Sequence, residues 1–110
     1  MASARQFGVE AAVRYNKLIL AALTAVGASP GLAGSKPVPR LQNVRMFPLR
    51  LAGRFTALDD RVSRPRHLVI YRVASDGVVE VLSLVHDRMD LTRAARRAMR
   101  AASGQTLQSR

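Results

Sequence analysis

A chain of 110 residues with 48% apolar side chains carries enough greasy surface for one folded domain and too much for a disordered polymer. It has no Cys, which excludes a disulfide framework and a thiolate metal site. Its longest apolar stretch, Leu18–Gly27, is interrupted by Thr24, too short to cross a bilayer and too deep behind Glu10 for a secretory signal. Eighteen Lys+Arg against seven Asp+Glu give a net charge of +11 and exclude a neutral surface.

In chain order, residues 4–27 read as a helix. Val9, Ala12, Val13, Asn16, Ile19, Leu20, Leu23 and Val26 recur at three- and four-residue spacing and predict a core-facing stripe, ended by Ser29-Pro30-Gly31. Residues 28–41, punctuated by Gly and Pro, form a linker with little regular structure. Residues 42–50 read as a strand in which Pro48 belongs at an edge or a bulge. Residues 51–66, with Gly53, Asp59-Asp60 and Arg64-Pro65, make a polar excursion with a flexible tip.

His67–Val73 and Val78–Val85 are β-branched runs around Ala74-Ser75-Asp76-Gly77 and predict an antiparallel hairpin. A two-residue Asp76-Gly77 loop would pair Val73 with Glu80, Tyr71 with Leu82 and His67 with His86. It would put Leu68, Ile70, Val79, Val81 and Val85 on one face, and Val69, Tyr71, Val73, Leu82 and Leu84 on the other. Both faces are apolar, so both need cover: one from the N-terminal helix, the other from the C-terminal helix or a partner. Residues 91–102 read as that second helix, capped by Asp90, with Leu91, Ala94, Ala95, Ala98, Met99 and Ala102 inward and Arg93, Arg96, Arg97 and Arg100 outward. The expected domain spans residues 1–103, and 104–110 form a disordered polar tail.

Several segments occur in an ordered series: Phe7-Gly8 before Ala11-Ala12-Val13-Arg14-Tyr15, Arg64-Pro65-Arg66-His67 through Val73, Asp76-Gly77 through Val81, and Leu84-Val85-His86-Asp87-Arg88-Met89-Asp90-Leu91. Together, over residues 6–91, they resemble the RelE/ParE superfamily of type II toxin–antitoxin toxins, nearer the ParE branch. The resemblance implies an α+β fold: an antiparallel sheet of about three strands, an N-terminal helix or helical hairpin packed on it, and a basic C-terminal helix. Only Met1–Gln6 precede the Phe-Gly step, where the family carries a strand and the start of a helix, so the expected sheet lacks that first strand. The 51–66 excursion is also longer than the family's minimal hairpin.

Sixteen of the eighteen cations are Arg, the other two being Lys17 and Lys36. Arg pairs bidentately with carboxylates and phosphates, so the expected partner is anionic: nucleic acid, the ribosome or an acidic protein segment. A genome rich in G and C would favour Arg over Lys but accounts less well for the shortage of acids. The residues singled out for target or partner binding are Arg45, Arg66, His67, Tyr71, Arg72, His86 and Arg88, with Arg93, Arg96, Arg97 and Arg100 on the basic C-terminal helix. Each has a plainer reading. The cations serve equally as solvated sheet edges, Tyr71 as core, the two His as a structural pair and the C-terminal helix as a roof for the sheet. No metal site or cofactor is expected.

The absence of Cys, of a bilayer-length apolar run and of a secretory signal leads to the expectation of a soluble, cytoplasmic chain away from membranes. The resemblance to ParE implies a non-enzymatic toxin that binds a topoisomerase such as DNA gyrase. It also implies neutralisation by a cognate antitoxin in a hetero-oligomer. The alternative in the same superfamily is a RelE-type, ribosome-dependent mRNA endoribonuclease. That chemistry needs cations to stabilise the in-line transition state and a group to activate the 2′-hydroxyl. Here the middle strands carry no Lys, and no Tyr or His follows His86, so no catalytic set is legible. A third reading is a degenerate, non-toxic protein that still docks an antitoxin.

Overall fold

The computed structural model describes residues 2–62, 64–87 and 90–108, with side chains described from 8 to 102 within that range. Its elements run α1 (Ala2–Ala28), β1 (Lys36–Pro37), β2 (Val44–Pro48), α2 (Leu49–Ala52), two single 3₁₀ turns (Gly53–Phe55 and Leu58–Asp60), β3 (His67–Val73), β4 (Val79–His86) and α3 (Leu91–Gln108). The four strands form one open antiparallel sheet in sequence order. The fold is α+β, with a helix on each face of the sheet.

One face packs against α1. Leu18, Ala22 and Val26 meet Phe47, Leu49, Ala52, Val69 and Tyr71. The other packs against α3, where Ala94 and Ala95 meet Val38, Val44, Leu68, Ile70 and Val85. Alanine suits that second layer, because it lets a helix approach the strands closely at no cost in side-chain entropy. The doubly apolar hairpin thus has a helix on each face, while Val78 of the turn and Val81 and Leu84 of β4 stay exposed.

The stripe predicted on α1 is rotated in the structure. Leu18, Ala22 and Val26 are fully buried, whereas Val9, Val13 and Leu20 are 59%, 47% and 63% exposed. At 100° per residue these three lie on the side of the helix opposite Leu18 and Ala22. A helix with apolar residues all round does not fix by periodicity which side meets the sheet.

The strand expected over residues 42–50 stops at Pro48, and Leu49 and Ala52 go into the core from a short helix instead. Pro48 is not on an edge strand. Val73 N–H donates to Asn43 O at 2.9 Å, so the alternation of the antiparallel ladder turns the backbone nitrogens of Val44, Met46 and Pro48 away from β3. That side is β1, which ends before reaching Pro48, so the missing donor breaks no ladder bond. The linker contains that two-residue β1. The 51–66 excursion holds the 3₁₀ turns, and Lys17 ties one of them to α1 through Asp60 at 3.1 Å.

The hairpin differs from a simple two-residue loop. Ala74 N–H donates to Val78 O and Gly77 N–H to Ala74 O, both at 2.9 Å, and Gly77 has φ +86°. This is a three-residue loop closed by a left-handed glycine. Val73 therefore pairs with Val79 and Tyr71 with Val81. A bulge between Ile70 and Tyr71 then restores the expected register, so His67 faces His86. As a consequence Val79 joins the α1 layer and Leu82 the α3 layer, the reverse of the sequence-based faces.

Asp90 caps α3, accepting a hydrogen bond from Arg93 N–H at 3.2 Å. The helix continues to Gln108, past the Gly104 at which the sequence reading ends regular structure. None of the helices is long and apolar enough to cross a membrane, among the described residues.

Candidate functional site

The open end of the hairpin gathers titratable groups. His67 begins β3 and His86 ends β4. Their rings meet edge to face at 5.6 Å between centroids. Tyr15, from α1, stands edge-on to His67 at 5.7 Å, and its hydroxyl donates to His67 Nδ1 when that nitrogen is unprotonated. Burial raises the Tyr15 hydroxyl pKa above the usual phenol value. His86 Nδ1 lies 3.1 Å from Asp87 Oδ1, and Asp87 N–H extends the ladder to Arg66 O at 2.7 Å. The series Tyr15, His67, His86, Asp87 therefore runs across this end of the sheet with the exposed Arg66 beside it. Tyr15 and Asp87 were not singled out in the sequence. The Tyr15–His67 contact joins residues 52 apart, and no local pattern announces it. Among the described residues, no group of three or more His, Cys, Asp or Glu is placed to hold a metal ion.

The other singled-out residues do not converge here. Arg45, opposite Tyr71 and so on the α1 side, donates to Ser35 Oγ at 2.8 Å and to the Ser35 carbonyl. Arg72, on the α3 side, pairs with Glu80 at 2.6 Å. It lies six residues from Arg66, about 20 Å along an extended strand. Tyr71 is fully buried and donates its hydroxyl to the Pro30 carbonyl. Arg88 lies outside the described residues.

β4 is the sheet's outer strand, with no neighbour beyond it in the described sheet. Val81 and Leu84, on its α1-facing side, are 47% and 40% exposed. Between β4 and residues 94–102 of α3 runs an open groove of about 610 Å³, floored by residues 80–85 and walled by Ala94, Ala98, Ala101 and Ala102, with Arg97 at its rim. Arg93, Arg96 and Arg100 lie round the helix from there, on the side away from Ala94 and Ala95. Arg40, from the β1–β2 loop, faces them. It was not singled out, because a lone Arg in a Gly- and Pro-rich loop carries no signal until the loop is placed.

Compared with known proteins, residues 2–91 match the family model of the ParE toxin of type II toxin–antitoxin systems. No curated protein and no solved structure matches the chain. The match spans helix, sheet and the start of α3 in the expected order. The chain belongs to the ParE toxin family and is the toxin of a type II toxin–antitoxin pair, a family that implies an antitoxin partner.

Proposed function

We propose that this toxin acts in the cytoplasm by protein contact, binding a topoisomerase such as DNA gyrase through β4 and α3, and that its antitoxin neutralises it by occupying the same surface in a hetero-oligomer. The observation that carries this reading is the outer strand β4, with Val81 and Leu84 exposed on its α1-facing side and the open groove with Arg97 at its rim on the other. An unpaired strand edge offers backbone donors and acceptors to an added strand or helix. Apolar contacts supply affinity at such a surface and the flanking cations steer an acidic partner to it. An antitoxin segment that folds on binding would cover both.

A second reading rests on the Tyr15, His67 and His86 cluster, which offers a proton acceptor near Arg66 for RNA cleavage of the RelE type. One experiment separates the two. The chain is induced alone in cells, and DNA supercoiling and ribosome-bound mRNA are assayed in parallel. Loss of supercoiling with intact mRNA is the expected result. Codon-positioned cuts that vanish in the His67→Ala, His86→Ala double variant would establish the second reading. Normal growth with neither effect would reduce the chain to an antitoxin-docking protein.

A further inference from the structure

We infer that the cleft between the β1–β2 loop and the N-terminal half of α3 is a binding site for a nucleic-acid phosphodiester backbone. This goes beyond the proposed target contact and does not depend on it. The cleft is open and measures about 730 Å³. Its lining contains five arginines, namely Arg40, Arg93, Arg96, Arg97 and Arg100, and one carboxylate, Asp90. Asp90 already accepts the hydrogen bond from Arg93 N–H that caps α3.

Three features make this more than a solvated helix face. First, the arginines converge from two separate elements, and the loop is fastened to the helix, because Thr92 donates its hydroxyl to the Pro39 carbonyl at 3.2 Å. Second, Arg40 has φ +68°, a left-handed backbone that costs a non-glycine residue energy, and it lines the cleft. Third, the cleft holds the largest grouping of unengaged arginines among the described residues: Arg45, Arg54 and Arg72 are held by Ser35, the Ala33 carbonyl and Glu80, and Arg14, Arg50, Arg61, Arg64 and Arg66 line no part of the cleft. None of the five in the cleft makes an ion pair or a side-chain hydrogen bond among the described residues. Their donors are left for a ligand.

The lining also chooses the class of ligand. A protein segment held tightly needs apolar anchors seated in pockets. Besides the arginines, this cleft offers only Pro39, Thr92 and the engaged Asp90. A phosphodiester chain needs no anchor. It needs cations spaced along its length, and Arg93 to Arg100 cover about 10 Å of helix. Guanidinium groups fit phosphate oxygens bidentately. Guanidinium contacts to phosphate oxygens fix a nucleic acid by its backbone and carry no sequence information of their own.

The test measures binding of the full chain to a fluorescent mixed-sequence DNA duplex and, separately, to a single-stranded RNA of equal length, over a series of salt concentrations. The expected result is binding to at least one of them, and the comparison identifies which nucleic acid presents the backbone better. Each phosphate neutralised contributes roughly 0.9 to the slope of log affinity against log salt for duplex DNA. Replacing Arg93, Arg96 and Arg100 together by Gln is expected to reduce that slope by about 2 to 3 and weaken binding more than roughly tenfold at moderate salt. Replacing Arg14, Arg50 and Arg61 by Gln removes the same charge outside the cleft and is expected to leave the slope nearly unchanged. The triple Lys variant of the cleft arginines should retain most of the binding. Arg40→Gly relieves the left-handed backbone, so weaker binding by that variant cannot come from a damaged fold. Equal losses from the cleft and remote triple variants would overturn the inference in favour of bulk charge. So would unchanged binding by the cleft variants, or equally tight, equally variant-sensitive binding of polyglutamate of matched charge, which would assign the cleft to an acidic protein.

Discussion

Tyr71 of β3 faces Val81 of β4, while its neighbour Ile70 faces Ser83, so Leu82 stands in the strand with no partner across from it. The extra residue turns its side chain to the α3 layer, where it is half-buried. Deleting Leu82 would make the Val81 and Ser83 pairings consecutive and leave both halves of the register intact. The deletion variant should therefore fold with His67 still facing His86. It should lose about 1–2 kcal/mol, part of the value of burying a leucine. Urea midpoints and a cross-strand nuclear Overhauser contact between the two His rings check this. An unfolded variant would show that the bulge is needed for more than packing.

Gly77 and Gly34 both have left-handed backbones, at φ +86° and +95°. Alanine at Gly77 meets no neighbour, so Gly77→Ala should cost only the backbone penalty of about 1–2 kcal/mol. At Gly34 an added Cβ would come within 2.4 Å of Leu51 Cδ1, the far end of a flexible side chain. Gly34→Ala should cost more than Gly77→Ala, by the amount needed to move Leu51. Chemical denaturation of the two variants side by side gives the ranking.

The parts of the fold legible in the sequence are those whose signals are local. The hairpin, the Asp90 cap and the stop at Ser29-Pro30 depend on neighbours within a few residues, and all three are present. The register near the turn was not legible, because Ala74-Ser75-Asp76-Gly77 accommodates both a two-residue and a three-residue loop. The one-residue difference reverses the faces of Val79 and Leu82. The buried side of α1 was not legible either, since Val9, Val13 and Leu20 are as apolar as Leu18, Ala22 and Val26. For the site, the expected His67–His86 pairing is present only because the bulge at Leu82 cancels the one-residue shift of the longer turn. Tyr15 and Arg40 come from distant segments that only the tertiary fold brings in.

The raised pKa of Tyr15, caused by burial, sets a pH dependence. An acid held protonated in the folded state contributes stability that is fully present below its unfolded pKa, about 10 for a phenol. That contribution is lost as pH rises through the folded value. Stability should therefore be insensitive to this group near neutral pH and decline above about pH 10. Tyr15→Phe should show a shallower alkaline decline than the parent, because it has no hydroxyl to ionise. Urea midpoints of both proteins between neutral and strongly alkaline pH decide the matter, and parallel curves would remove Tyr15 as the cause.

Tyr71 separates core from site. Its ring is fully buried and its hydroxyl donates to the Pro30 carbonyl, which ties the end of α1 to the sheet. Tyr71→Phe keeps the ring and removes that bond, at a cost of about 1 kcal/mol. Growth inhibition by the variant, compared at equal protein level, should match the parent. A loss of toxicity far exceeding the loss of stability would return Tyr71 to the functional residues.

The role proposed for β4 has its own test in charge placed on the strand. Val81 and Leu84 are exposed and contribute little to either core, so Val81→Lys with Leu84→Lys should cost no more than about 1 kcal/mol of stability. Lysine on an edge strand opposes the docking of a further strand or an apolar segment, because its ammonium would have to be desolvated on binding. The double variant should bind its antitoxin at least roughly tenfold more weakly, since two apolar contacts worth about 1 kcal/mol or more each are lost. Leu20→Lys supplies the comparison. Leu20 is more exposed still, at 63%, but lies on the outer side of α1, remote from this contact, so its replacement should leave antitoxin affinity unchanged. If Leu20→Lys weakened the complex and the β4 pair did not, the antitoxin would dock on the apolar line of Val9, Val13 and Leu20 instead, and β4 would lose its assigned part.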